Sequence, residues 1–143
     1  MEKLPEGKLF EKIRLKNGLD LQMFYRTRPV AGDRYQVTYE VRIDVGITPE
    51  YFTDSPLSDL TFQDVRSLLG NKTTFHYQKY RNFISGKDKT SILEKMRSDF
   101  LDTNLVYLSS RDFPYKLIKK NYREALAKLE LTKRQQGLRS FHF

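Results

Sequence analysis

A chain of 143 residues is sized for one domain, which at that length buries roughly two-thirds of the surface its unfolded form exposes and requires no metal or disulfide staple. With 38% hydrophobic and 31% charged residues, ten phenylalanines and nine tyrosines, the composition excludes a disordered chain. The net charge of +8 is uneven: residues 1–71 hold ten Lys and Arg against eleven Asp and Glu, whereas residues 72–143 hold sixteen against seven, one footprint of a polyanion-binding surface.

The first run, KLFEKIRL from Lys8, alternates, with Leu9, Ile13 and Leu15 on one side and Phe10, Lys12 and Arg14 on the other. That pattern predicts a strand with one buried face. Asn17-Gly18 then predicts a tight hairpin, because both residues tolerate the positive φ of a type I′ turn. The return strand, LDLQMFYRT, sets Leu19, Leu21, Met23 and Tyr25 against Asp20, Gln22, Phe24 and Arg26. RPVAGDR, Arg28 to Arg34, joins it to YQVTYEVRIDV, the most cleanly alternating run. There Tyr35, Val37, Tyr39, Val41, Ile43 and Val45 face inward, and Gln36, Thr38, Glu40, Arg42 and Asp44 face outward. These three strands form a meander whose apolar face needs cover.

GITPEYFTDSPLSD, with its two prolines, predicts a long irregular connection. A short helix capped by Asp59 or Thr61 should run to Leu69 and end at Gly70-Asn71. KTTFHYQKYRNFI is β-branched and aromatic and predicts a fourth strand, with Phe75, Tyr77, Lys79, Arg81 and Phe83 opposed to His76, Gln78, Tyr80, Asn82 and Ile84. Past SGKDKTS, Asp88 or Ser91 should cap a helix bearing Ile92, Leu93, Met96 and Phe100 on one side, and LVYLSS reads as a short strand. In the last element Asp112 caps, Pro114 occupies the first turn where its missing N–H costs nothing, and Gly137 marks the stop. Ile118, Tyr122, Ala125, Leu126 and Leu129 give that helix an apolar stripe and make it the expected main lid on the sheet.

The fold class expected is α+β, a single domain over 1–143: an antiparallel β-meander of three to five strands with two or three helices packed on one face. The N-terminal meander spans 8–46, a helical and mixed second half 59–137, and a short tail 138–143.

Several chemistries are set aside. Without cysteine there are no disulfides, thiolates or cysteine-rich zinc sites. MEKLPEGKLF places acids and a proline where a signal peptide needs a basic start and an apolar run, and no stretch approaches the roughly 20 apolar residues of a membrane span; a cytoplasmic protein is expected. The two histidines, His76 and His142, are far apart in sequence and beside no thiol, so no catalytic residue is assigned. DSPLSD lacks the spacing of a calcium loop, and SGKDKTS lacks the upstream glycine of a phosphate loop. No metal or cofactor is assigned.

Three basic features remain. On the last helix Lys116, Lys119, Lys120 and Arg123 cluster away from the apolar stripe, continued by Lys128, Lys133 and Arg134. They fit a phosphate backbone, although a solvated helix face is the favoured account and the dipole explains the last two. In FHYQKYRNF ring and cation interleave, so that Tyr77, Lys79 and Arg81 on one face, or Tyr80 on the other, fit sheets where exposed rings stack bases and cations hold phosphates. Arg28 and Arg34 flank Gly32, either as a bidentate anion grip or as turn residues paired with Asp33; the internal aspartate favours the turn. The expected function is a small, basic, non-enzymatic module for nucleic acid or another polyanion. A protein-interaction or scaffolding domain of bacterial type, working through TPEYFTDSPL or the tail FHF, is the alternative, and an enzyme is the least supported class.

Overall fold

A computed structural model describes residues 7–139. Among them the chain forms β1 Lys8–Arg14, β2 Asp20–Ala31, β3 Arg34–Gly46, α1 Phe62–Leu69, β4 Lys72–Ser85, α2 Lys89–Leu108 and α3 Phe113–Arg139. The four strands make one antiparallel sheet in sequence order, the α+β meander expected. The chain divides into two compact units, one of residues up to Asp44 with Thr74–Arg111, the other of Val45–Thr73 with residues from Asp112 onward.

In the first unit the alternation of β3 sets the register. Leu21 lies opposite Ile43, Met23 opposite Val41 and Tyr25 opposite Tyr39, so the apolar side chains of β2 and β3 share one face. A one-residue slip would turn that whole set to the other side, so the pattern itself locks the pairing. Gln36 bonds Asn82 and Thr74 bonds Asp44, which aligns β4 antiparallel to β3 and makes it a sheet edge.

β1 departs from its alternating pattern. Leu9 pairs with Phe24 and Glu11 with Met23, leaving Phe10 as the extra residue of a bulge. The inserted residue reverses the expected parity: Phe10 turns inward, its ring 5.6 Å from Tyr25 and 6.3 Å from Tyr39, and Leu9 is exposed. The first hairpin also differs from a type I′ turn. Its loop has three residues, Lys16–Gly18, closed by Leu15 N–H to Leu19 carbonyl (2.8 Å) and Gly18 N–H to Leu15 carbonyl (2.9 Å), and only Gly18 has positive φ (89°).

Asn17 is thereby released for another task. Its Nδ2 donates to the Leu108 and Ser110 carbonyls at 2.8 and 2.9 Å, satisfying acceptors left over at the end of α2, and its Oδ1 accepts from Leu19 N–H. Asn17→Ala is expected to lower stability by about 1–2 kcal/mol, because two part-buried carbonyls lose their donor. A urea titration measures this, and an unchanged midpoint would show that water replaces the amide without loss.

α2 is the cover for the sheet in this unit, whereas the sequence assigned the main lid to the last helix. Met96, Phe100 and Leu108 are buried along it. The Phe100 ring stands 4.6 Å from Tyr77 and 6.0 Å from Tyr39. At the rim Arg97 holds Glu11 bidentately, Nε to Oε1 at 2.6 Å and Nη2 to Oε2 at 2.8 Å, a fork geometry only arginine offers. That hydrogen bond keeps the Glu11 carboxyl below its ordinary range despite partial burial. LVYLSS is not a strand: Leu108 continues the four-residue spacing of Met96 and Phe100, so α2 runs on through Leu108 with Val106 and Tyr107 left exposed.

In the second unit Thr61 caps α1, its Oγ1 accepting from Asp64 N–H at 3.2 Å, and Gly70 ends it at φ 82°. α1 packs on α3. The connection before α1 is less irregular than its prolines suggested. Pro49–Phe52 form a 3-10 turn, Leu57 is fully buried, and the Tyr51 and Phe52 rings sit edge-on to Tyr115 and Phe62. α3 opens at Asp112, whose carbonyl accepts from Lys116 N–H at 3.0 Å, and Leu117 and Ile118 are buried. Gly137 does not stop it. The helix continues to Arg139, and Gly137 does not take the left-handed conformation that ends α1.

Candidate polyanion-binding face

One face of the first unit's sheet lies under α2; the other carries the even-numbered residues of β2, β3 and β4. At its centre is Glu40, only 5% exposed. Both Nε and Nη2 of Arg42 reach Glu40 Oε2 at 3.1 Å, Arg26 Nη1 stands 3.6 Å from Oε1, and His76 Nε2 is also bonded to Oε2. Burial raises the Glu40 pKa, but the bonds from His76 and Arg42 outweigh it and hold the group below its ordinary value. One carboxylate thus fixes three basic side chains, of which Arg42 and His76 remain about half exposed.

Around this cluster the face is polar and aromatic. The Arg42 guanidinium lies 5.6 Å over the Phe24 ring, and the Arg42 side chain is about half exposed. Gly7, Phe24, Arg26, Glu40 and Arg42 line a cavity of about 390 Å³. A Cβ at position 7 would stand 3.1 Å from Phe24 Cβ and 3.2 Å from Glu40 Oε1, so this close approach suits glycine.

β4 extends the basic character along the sheet edge. Gln78 to Phe83 are six consecutive exposed residues, and β4 as a whole contains no Asp or Glu. Tyr80 is 55% and Phe83 66% exposed. Among the described residues no acidic group pairs with Lys79 or Arg81. Phe83 has φ of 59°, a strained conformation that a bulky residue rarely adopts, and its ring is exposed.

The basic candidates read from sequence separate by unit. On β4 Tyr80 belongs to the outer face, and Lys79 and Arg81, with the parity of Tyr77, to the other side of the edge strand. Arg28, expected in the loop, is an exposed residue of β2, because the second hairpin closes tightly on Gly32-Asp33 with positive φ only at Gly32. Arg34 begins β3, and its Nε is 3.8 Å from Asp33, the partner the turn reading proposed. Lys116, Lys119, Lys120 and Arg123 belong to the second unit. Lys119 stands 3.9 Å from Asp59 and Lys120 3.9 Å from Glu124, so acids already meet part of that row. His142 and the FHF tail lie outside the described residues.

Sequence reasoning missed Arg26, Arg42, His76 and Phe24 as a group. The signal was present, since alternation already put Glu40 and Arg42 outward on one strand and Phe24 and Arg26 on the other. Three-strand register was the missing piece. On the covered side, two adjoining grooves of about 470 and 390 Å³ share Phe10, Thr90 and Leu93, and their ionisable groups include the Glu11–Arg97 pair, already satisfied.

No protein-family model, curated protein or solved structure matches the chain. Among the described residues no three His, Asp or Glu side chains gather as a metal-ligand group, and no helix is long and apolar enough to cross a membrane.

Proposed function

We propose that the protein is a non-enzymatic polyanion-binding module that uses the outer sheet face and β4 of its first unit. The observation that carries this reading is the exposed run Gln78–Phe83, with two cations, two solvent-facing rings and no acid anywhere in the strand. Arg28, Arg26 and Arg42 add positive charge on the side of the sheet that Tyr80 shares, while Lys79 and Arg81 have the opposite parity on the edge strand, and the one carboxylate among the arginines is buried beneath its partners. Strain at Phe83 supports the same reading, because an exposed ring in an unfavourable backbone conformation is easier to account for by a ligand than by packing.

In the loop of the interaction alternative both rings have neighbours inside the second unit. The rings of Tyr51 and Phe52 are spent on Tyr115 and Phe62 within the second unit.

Binding to heparin and to nucleic acid, followed by fluorescence anisotropy, is expected to weaken steeply between about 50 and 200 mM salt as counterions are released. Lys79→Ala with Arg81→Ala should reduce the slope of log affinity against log salt by about 1–2. Both positions are exposed, so the variant should fold. No binding at low salt to any polyanion would sink the proposal, and an unchanged slope in the double variant would move the site away from β4.

A further inference from the structure

We infer that the polyanion is a single-stranded nucleic acid laid across the outer sheet face, with bases stacked on Tyr80 and on the Arg42–Phe24 pair and phosphates held by Arg26 and Arg28. This rests on the polyanion reading and names its ligand. Charge alone would suit any polyanion, so the inference depends on what else the face carries.

It carries planar groups. Tyr80 is more than half exposed in the middle of a strand, where rings ordinarily pack into a core. In the register fixed by Gln36–Asn82 and Asp44–Thr74, Tyr80 falls opposite Thr38, which itself pairs with Arg26 of β2. Ring and guanidinium therefore occupy one row across the sheet. Arg42 over Phe24 presents a second flat, cationic surface, and both kinds of plane accept a base stacked upon them. Gln78 and Asn82 place amides beside these planes, able to donate to or accept from base edges. Heparin or polyphosphate has no ring to stack on these planes; an unstacked base uses the planes and the amides together.

Shape also selects against a duplex at this face. Four strands about 4.8 Å apart make a surface wider than a major groove of about 12 Å once side chains are added, and paired bases are already stacked on one another. A duplex would instead take the β2–β3 tip, a two-stranded ribbon flanked by Arg28 and Arg34.

Four probes separate the outcomes: an oligothymidylate or oligouridylate, an abasic phosphodiester of the same length and charge, a duplex of that length, and heparin of similar size. The single strand is expected to bind at least about tenfold tighter than the abasic strand, given what stacking contributes per base. Tyr80→Ala should weaken single-strand binding by about 5- to 150-fold and leave abasic binding unchanged, and Tyr80→Phe should restore it. Equal affinity for the abasic strand or heparin, or a preference for the duplex, overturns this inference while the polyanion reading stands. Failure to bind all four overturns both. Because Tyr80 is exposed, circular dichroism of Tyr80→Ala should match the unsubstituted protein, which keeps loss of binding distinct from loss of fold.

Discussion

Alanine in place of Phe100 is expected to destabilise the protein by about 3–5 kcal/mol, the range for removing a buried aromatic ring without refilling its space. Phe100 is 3% exposed and is the residue of α2 whose ring meets both Tyr39 of β3 and Tyr77 of β4, so its loss removes the aromatic contact between the helix and those two strands. Total stability of a domain this size is about 5–15 kcal/mol, so the variant should unfold at much lower urea. Tyr39→Phe should do the opposite. The Tyr39 hydroxyl is fully buried with no hydrogen-bond partner among the described residues, and burial raises its pKa far above the ordinary tyrosine range. Deleting an unsatisfied buried hydroxyl while keeping the ring should raise stability by about 1 kcal/mol or more. Equilibrium urea unfolding of both variants checks the pair. A loss under about 1 kcal/mol for Phe100→Ala would mean that Met96, Leu108 and the Arg97–Glu11 bridge hold α2 without the ring.

These two residues also mark how far the fold was readable. Tyr39 sits inward because an alternation eleven residues long admits one parity, and Phe100 falls on the apolar side of a helix by its spacing from Met96. Both follow from local periodicity. β1 did not follow, because a bulge at Phe10 is decided by how the strand must bend to bring a ring against Tyr25 and Tyr39, which is a tertiary matter. LVYLSS misled for the opposite reason. Six apolar and small residues carry no period of their own, and only the continuation from Phe100 to Leu108 shows the helix. Gly137 was a plausible stop by residue type, but glycine ends a helix through its positive φ, and composition does not reveal φ.

For the candidate site the limits are similar. Lys79, Tyr80 and Arg81 stood out in sequence because ring and cation alternate within one strand. The Glu40 cluster did not, because its members come from three strands and meet only through register. A lone glutamate on the polar side of a strand reads as a solvated residue, yet here it is buried and organises two arginines and a histidine.

That arrangement makes Glu40→Gln the most informative change on this face. At neutral pH it should cost about 1–3 kcal/mol of stability, below the full penalty for breaking a buried ion pair because Arg42 and His76 are half exposed to water. The pH dependence follows from the lowered pKa. Glu40 and Glu11 are both depressed in the folded protein, so their contribution is fully present above the ordinary value of 4.5 and is lost as pH falls below it through the folded values. Glu40→Gln should therefore flatten the acid limb of stability against pH, as should Glu11→Gln. The two substitutions should part company in binding. Glu11 bonds Arg97 at the edge of the covered side, so its replacement should leave affinity for a single strand unchanged. Removing the Glu40 charge frees Arg26 and Arg42 for phosphate, so affinity should rise at low salt and the salt slope steepen by about 1 while stability falls. Anisotropy titration at a temperature where each variant is fully folded measures the two separately. Weaker binding by folded Glu40→Gln would show that the carboxylate positions the arginines for the ligand more than it competes with it, and unchanged binding would remove the Glu40 cluster from the site and leave β4 alone to carry it.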